Sequence, residues 1–178
     1  DLRGDFNVLT IGDSWTEGMG LMIEDRFDSK LSILAKEHDG RELVCWNLSC
    51  GGKGTDYIAR QVLISVPYLN PDAVFICLPQ GSSRREHISN DGRMLHLNMG
   101  LLLDLSAGKQ GALKFRNIRD QDLELIVAYS RSLIEPFQIS SLIFDMALID
   151  LAFAEYEIPW KFSMPADDCI QPDVEALL

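Results

Sequence analysis

The sequence predicts a three-layer α/β sandwich, with a parallel flavodoxin-like sheet of four or five strands between helices. Three observations predict it. Short apolar, β-branched runs such as Phe6–Ile11 (FNVLTI) read as strands covered on both faces. These runs alternate with stretches of helical apolar spacing, in the order strand, helix, strand, helix, strand within the first 80 residues. Glycine, proline or capping residues punctuate nearly every junction.

Each element follows from its own residues. Phe6–Ile11 runs into Gly12-Asp13-Ser14, a sharp turn after a buried strand. Ile23, Phe27, Leu31 and Leu34 recur at helical spacing, and His38-Asp39-Gly40 stops that helix. Residues 43–48 form a second strand. Gly51-Gly52-Lys53-Gly54 is a flexible turn, and Thr55 is placed to cap a helix carrying Ile58, Val62 and Val66. A loop from Pro67 to Pro71 leads into a third strand over 73–78 (AVFICL). The middle, 80–117, is irregular, with an apolar run at 99–105 as a short helix and a loop at 109–111. Two helices, 122–134 and 139–154, are separated near Pro136. A last strand occupies 160–164, with loop beyond. No linker marks a boundary, so residues 1–178 read as one domain.

Composition narrows the function. Sixteen basic against 27 acidic residues give a net charge of −11, which argues against nucleic acid as partner. The charge is uneven. Residues 150–178 hold seven acids and one base, whereas 84–119 hold seven bases and three acids. No apolar stretch approaches the roughly 18 residues of a membrane span. Cys45, Cys50, Cys77 and Cys169 are scattered without a CxxC pair. They read as reduced core thiols of a cytoplasmic protein, neither a disulfide frame nor a zinc site. The chain starts at Asp1 rather than Met, so a removed leader stays open. Oligomeric state is not legible.

The strongest chemical signal is Gly12-Asp13-Ser14-Trp15-Thr16-Glu17-Gly18 after the first strand. A serine at a strand's carboxyl end, opening a helix, is well placed as a nucleophile. Backbone N–H groups there favour developing negative charge. Without further context, Asp13 and Ser14 read more readily as plain helix caps. Three weaker signals accompany it. Gly51–Thr55 lacks the G-x-x-x-x-G-K-[ST] of a phosphate loop. Asp167, Asp168 and Asp173 are a loop cluster without a metal-loop spacing. Trp15, Trp46 and Trp160 read as core residues, although Trp15 beside Ser14 is also placed to line a substrate pocket.

I-G-D-S-x-T-x-G at the first strand resembles the first block of the SGNH (GDSL-type) serine hydrolases. Asn47-Leu48-Ser49-Cys50-Gly51-Gly52-Lys53-Gly54-Thr55 is similar to the second block, with Gly52 at the oxyanion-hole position. The resemblance covers roughly the first 80 residues. It implies ester hydrolysis through an acyl-serine intermediate, with no cofactor or metal. Ser14 would be the nucleophile, and the Ser14 and Gly52 amides would hold the oxyanion.

Two later blocks depart from the pattern. The family's G-x-N-D is replaced by Cys77-Leu78-Pro79-Gln80-Gly81-Ser82-Ser83-Arg84-Arg85-Glu86, leaving Gln80, Arg84 or Arg85 as substitute donors. The family's D-x-x-H-P is matched by Asp168-Cys169-Ile170-Gln171-Pro172, with Gln171 where the triad histidine belongs. A carboxamide has no lone pair that titrates near neutrality, so Gln171 can hold a serine hydroxyl but cannot take its proton. His38, His87 and His96 are the chain's histidines, and none lies near that block in sequence. The chain also ends before the C-terminal helix usual in the family.

The expectation is therefore an SGNH-type esterase or short-acyl deacetylase impaired at its base. Its substrate would be a small ester, carbohydrate-linked or an anionic short-chain one, with Trp15, Arg84 and Arg85 contacting it. The rival expectation is an inactive binding module that keeps the SGNH fold and pocket.

Overall fold

In the computed structural model, β1 (Phe6–Ile11) lies between β2 (Leu43–Asn47) and β3 (Ala73–Cys77), paired in parallel with both. A last strand, β6 (Trp160–Ser163), joins β3 in parallel and gives the order β2-β1-β3-β6. The structure describes residues 4–79, 84–89, 91–97, 119, 122, 125–126, 128 and 135–163. The expected features at 99–105 and 109–111, the segment from Pro165 onward, and Gln80, Asp167, Asp168, Cys169, Gln171 and Asp173 lie outside them.

The strand order fixes the layers. A parallel crossover is right-handed, so the helix between β1 and β2 covers one face and the helix between β2 and β3 covers the other. The first is α2 (Phe27–Asp39), packed on β2, and the second is α3 (Thr55–Leu69). Helix α4 (Glu135–Glu155) precedes β6 and packs against α3 on the same face. Leu9, Ile11, Val74 and Ile76 from the sheet meet Ile58, Val62 and Val66 of α3 and Ile149 and Phe153 of α4, all almost fully buried. This is the α/β sandwich that the sequence predicts.

Four local expectations are corrected. Pro67 does not end α3. It lies in the last turn, where it forfeits only the bond to Leu63, and the helix stops at Leu69 with Asn70 left-handed at φ 47°. Helix α4 begins at Glu135 rather than at residue 139, so Pro136 lies inside its first described turn. Thr55 does not cap α3. Gly54 is the cap residue, and the Thr55 hydroxyl donates to Asp145 Oδ2 at 2.5 Å. The face of Ile23, Leu31 and Leu34 is not buried, since all three are exposed. Helix α2 docks instead through its first turn, where buried Asp28 accepts from Arg26 and from Asn47 Nδ2, and Phe27 meets Phe75.

The middle of the chain holds an antiparallel hairpin that periodicity does not reveal, β4 (Arg85–Ile88) with β5 (Met94–Leu97). Its turn is marked by Asp91-Gly92, with Gly92 at φ 80°. Among the described residues, no helix is long and apolar enough to cross a membrane.

Candidate active site

Strand β1 delivers its carboxyl end into a single helical turn, α1 (Ser14–Glu17). The turn can sit this close to the sheet because Gly12 has no side chain. A Cβ there would overlap Thr16 Oγ1 and stand 2.7 Å from Thr16 Cβ and 2.9 Å from the Cys77 carbonyl oxygen. Asp13, only 1% exposed, caps the turn by accepting from the Trp15 amide at 3.0 Å. Gly18 closes it in the left-handed region at φ 74°.

The loop after β2 is tied against this turn. Leu48 N donates to Thr10 O at 2.9 Å and Cys50 N to Gly12 O at 3.1 Å, extending the parallel ladder past the strand ends. Asn47 Nδ2 donates to Thr16 O at 2.8 Å, and its Oδ1 accepts from Ser49 N at 3.0 Å. Gly51 therefore lies beside the candidate nucleophile. The point where its Cβ would stand is 3.4 Å from Ser14 Cβ, 3.2 Å from Glu17 Oε2 and 2.9 Å from Met19 Cε.

Glu17, which the sequence argument did not single out, accepts the Gly51 amide at 2.6 Å. The signal for it was Ser14-x-x-Glu17, the spacing at which an acid reaches back to a backbone amide; here it reaches across to another loop. The Gly51 amide is thereby committed. Gly52 follows at φ 77°, open on its Cα side, and its amide has no acceptor among the described residues. The Ser14 hydroxyl likewise has no hydrogen-bond partner among them.

The two arginines at the start of the hairpin part company. Arg84 Nη1 donates to Asp13 Oδ2 at 2.9 Å, which brings its guanidinium next to the Ser14 turn, with the side chain 26% exposed. Arg85 Nη1 donates at 2.5 Å to Asp145 Oδ2, in a buried pair that Thr55 completes from α3. Glu86 on β4 takes Lys53 Nζ at 3.1 Å and an ion pair with Arg60. Burial pushes the Glu86 carboxyl up, but these two cations outweigh it and hold it below the usual range.

Trp15 is 76% exposed, so it is not a core residue; Trp46 and Trp160 do pack against the core. His38 is exposed in the last turn of α2. His87 sits on β4, its pKa lowered by burial and by Arg85 against the opposing pull of Asp56. His96 is paired opposite Glu86 in the hairpin. The described residues bring together Ser14, Trp15, Gly52 and Arg84 around one sheet end, and place Arg85 in a separate buried pair.

The chain matches no protein-family model and no curated protein sequence. Among solved structures it is similar to AlinE4, an SGNH-hydrolase family esterase, at 14% identity and a TM-score of 0.40, covering 99% of this chain and 93% of that one. It is similar to Axe2, an acetylxylan esterase from Geobacillus stearothermophilus, at 14% identity and a TM-score of 0.38, covering 90% and 77%. It is also similar to EstA, a psychrotrophic esterase from Pseudoalteromonas sp., at 13% identity and a TM-score of 0.38, covering 89% and 78%.

Proposed function

We propose that this chain is an ester hydrolase of SGNH type with Ser14 as its nucleophile, slowed by Gln171 at the position of the general base. The observation that carries the reading is the meeting of the Ser14 turn with the Gly51-Gly52 loop at the carboxyl end of β1. A hydroxyl and the Gly52 amide stand there side by side, neither with a hydrogen-bond partner among the described residues.

In the reaction, Ser14 Oγ adds to the ester carbonyl carbon while the hydroxyl proton leaves. The carbonyl oxygen becomes an oxyanion held by the Ser14 and Gly52 amides, with Gln80 available from the segment after β3. Collapse of the tetrahedral species expels the alcohol and leaves an acyl-serine, which water then cleaves. Asp168 would orient Gln171, as the acid of a triad orients its histidine. Because Gln171 accepts no proton, both steps rely on solvent, and turnover falls by up to about six orders of magnitude. Trp15 is exposed where it can flank the incoming group. Arg84 and Arg85 each already face a carboxylate, so the best substrate is an uncharged short acyl ester, carbohydrate-linked esters included.

The test is hydrolysis of p-nitrophenyl acetate by the chain, by Ser14→Ala and by Gln171→His. Turnover in Gln171→His that rises at least about 10²-fold and vanishes on adding Ser14→Ala supports the reading. Rapid, Ser14-dependent turnover by the unaltered chain would remove the claim of a missing base. No turnover in any form favours the second reading, an SGNH-fold binding module, for which the glutamine at position 171 is the motivating observation.

A further inference from the structure

We propose that Arg84 is the side-chain donor to the oxyanion formed at Ser14, filling the place of the carboxamide that the third block lacks; this rests on Ser14 being the nucleophile. Asp13 is adjacent to Ser14 and almost wholly buried, with one oxygen capping the Trp15 amide and the other holding Arg84 Nη1 at 2.9 Å. The guanidinium is therefore anchored one residue from the nucleophile. It has five N–H donors in a rigid fork, and Nε and Nη2 have no acceptor among the described residues. A quarter of the side chain is exposed, so the residue is reachable by a bound substrate.

The backbone of Arg84 is fixed as firmly as its head group. Gly54, the cap of α3, lies so close that a Cβ there would overlap the Arg84 carbonyl oxygen. Both ends of the residue are thus set before substrate arrives, which is the condition for a donor that costs no reorganisation during the reaction. Arg85 is not open in this way, since its side chain is mostly buried and its Nη1 is held by Asp145.

Charge decides what Arg84 binds. At rest its positive charge is matched by Asp13, and a second carboxylate, Glu17, lies at the Gly51 amide beside Ser14. The site is then not cationic toward a ground-state anion. It still presents N–H donors to negative charge that appears only as the carbonyl is attacked. Such an interaction speeds the chemical step without tightening substrate binding. The assignment selects an uncharged acyl carbonyl over an anionic substituent.

Phenylboronic acid tests this without a general base. The Ser14 oxygen adds its lone pair to trigonal boron, the hydroxyl proton passes to water, and the tetrahedral boronate carries the negative charge of the oxyanion. Affinity is read by ¹¹B NMR and calorimetry on the unaltered chain, Ser14→Ala, Arg84→Ala and Arg84→Lys. The expected result is loss of the tetrahedral signal in Ser14→Ala and roughly 10²-fold weaker binding in Arg84→Ala. In Arg84→Lys, the ammonium keeps the ion pair with Asp13 and hence the fold, but supplies no planar fork, so affinity still falls at least about tenfold. Arg84→Lys binding boronate like the unaltered chain overturns the proposal, as does Arg84→Ala if folded and within threefold. Equal binding by the unaltered chain and Ser14→Ala removes the nucleophile assignment and this proposal with it. Loss in Ser14→Ala alone removes only the role of Arg84.

Discussion

Replacing Gly54 by alanine reverses the sign of a common stabilising substitution, and that sign reports whether the hairpin is seated on α3. The backbone of Gly54 is extended, φ −102° and ψ −175°, a conformation that any residue adopts. In open space, Gly→Ala at such a position stabilises by about 0.4–1 kcal/mol through the unfolded chain. Gly54 is not in open space. The added Cβ would overlap the Arg84 carbonyl oxygen and stand 2.7 Å from its carbon and 2.8 Å from Asp56 Oδ1, where real Cβ contacts essentially never come under 3.0 Å. The nearest clash is with backbone, so no rotamer change relieves it and the start of β4 must withdraw. Overpacking of this kind costs about 1–3 kcal/mol, and a backbone clash belongs at the upper end. The withdrawal also strains the 2.7 Å bond from Glu86 N to Asp56 Oδ2. At about 2–4 °C per kcal/mol for a chain of this size, Tm falls by roughly 5–10 °C. Thermal and urea unfolding followed by circular dichroism measure it. A Tm equal to or above that of the unaltered chain would refute the packing of Arg84 on Gly54.

Two further perturbations bear on the buried polar residues. Asp145→Ala leaves the mostly buried Arg85 guanidinium without its carboxylate, and unfolding free energy drops by about 3–5 kcal/mol. Adding Arg85→Met then recovers much of that loss, because both charges are gone; equal urea midpoints for the single and double variants would show that the pair is not coupled. Burial pushes the Cys45 thiol up to about 11, with Asp28 adding to the effect. Its thiol therefore stays protonated and reacts with disulfide reagents at pH 8 far more slowly in the folded than in the urea-unfolded chain. A pKa raised by folding contributes stability that is present below the unfolded thiol value and lost as pH climbs toward 11, so Cys45→Ala should flatten that alkaline limb.

What the sequence discloses and what it hides divide along one physical line. Strands β1 and β3 and the inner face of α3 are legible because burial demands apolar residues there, and Leu9, Ile76, Val62 and Val66 obey that demand. Helix α2 misleads because its anchor is polar, with Asp28 buried and Leu31 and Leu34 left outside. The hairpin escapes because it is short and carries Arg85, Glu86 and His87 in one strand, a composition that periodicity reads as loop. At the site, the Gly12–Gly18 block marks the position of Ser14, the proposed nucleophile, since only a glycine fits at Gly12 between β1 and the α1 turn. The separate fates of Arg84 and Arg85 are not written in the sequence, where the two are neighbours. They are decided by which carboxylate, Asp13 or Asp145, each meets across the fold.

The α1 turn has a consequence in time as well as in space. Four residues are far below the roughly 12–15 at which a helix holds itself together in water, so Ser14 cannot be positioned by its own segment. Its restraints come from elsewhere: Asn47 lies 31 residues from Thr16, Gly51 lies 34 from Glu17, and Arg84 lies 71 from Asp13. Contacts that close long loops form after local ones, because the entropy of closure must be met first. During refolding, the helical signal returns before the Ser14 turn is set, and the proposed boronate adduct at Ser14 lags behind it. On partial opening the order reverses, and detachment of the hairpin releases the Arg84–Asp13 tie to the Ser14 turn while the sheet and its helices remain intact.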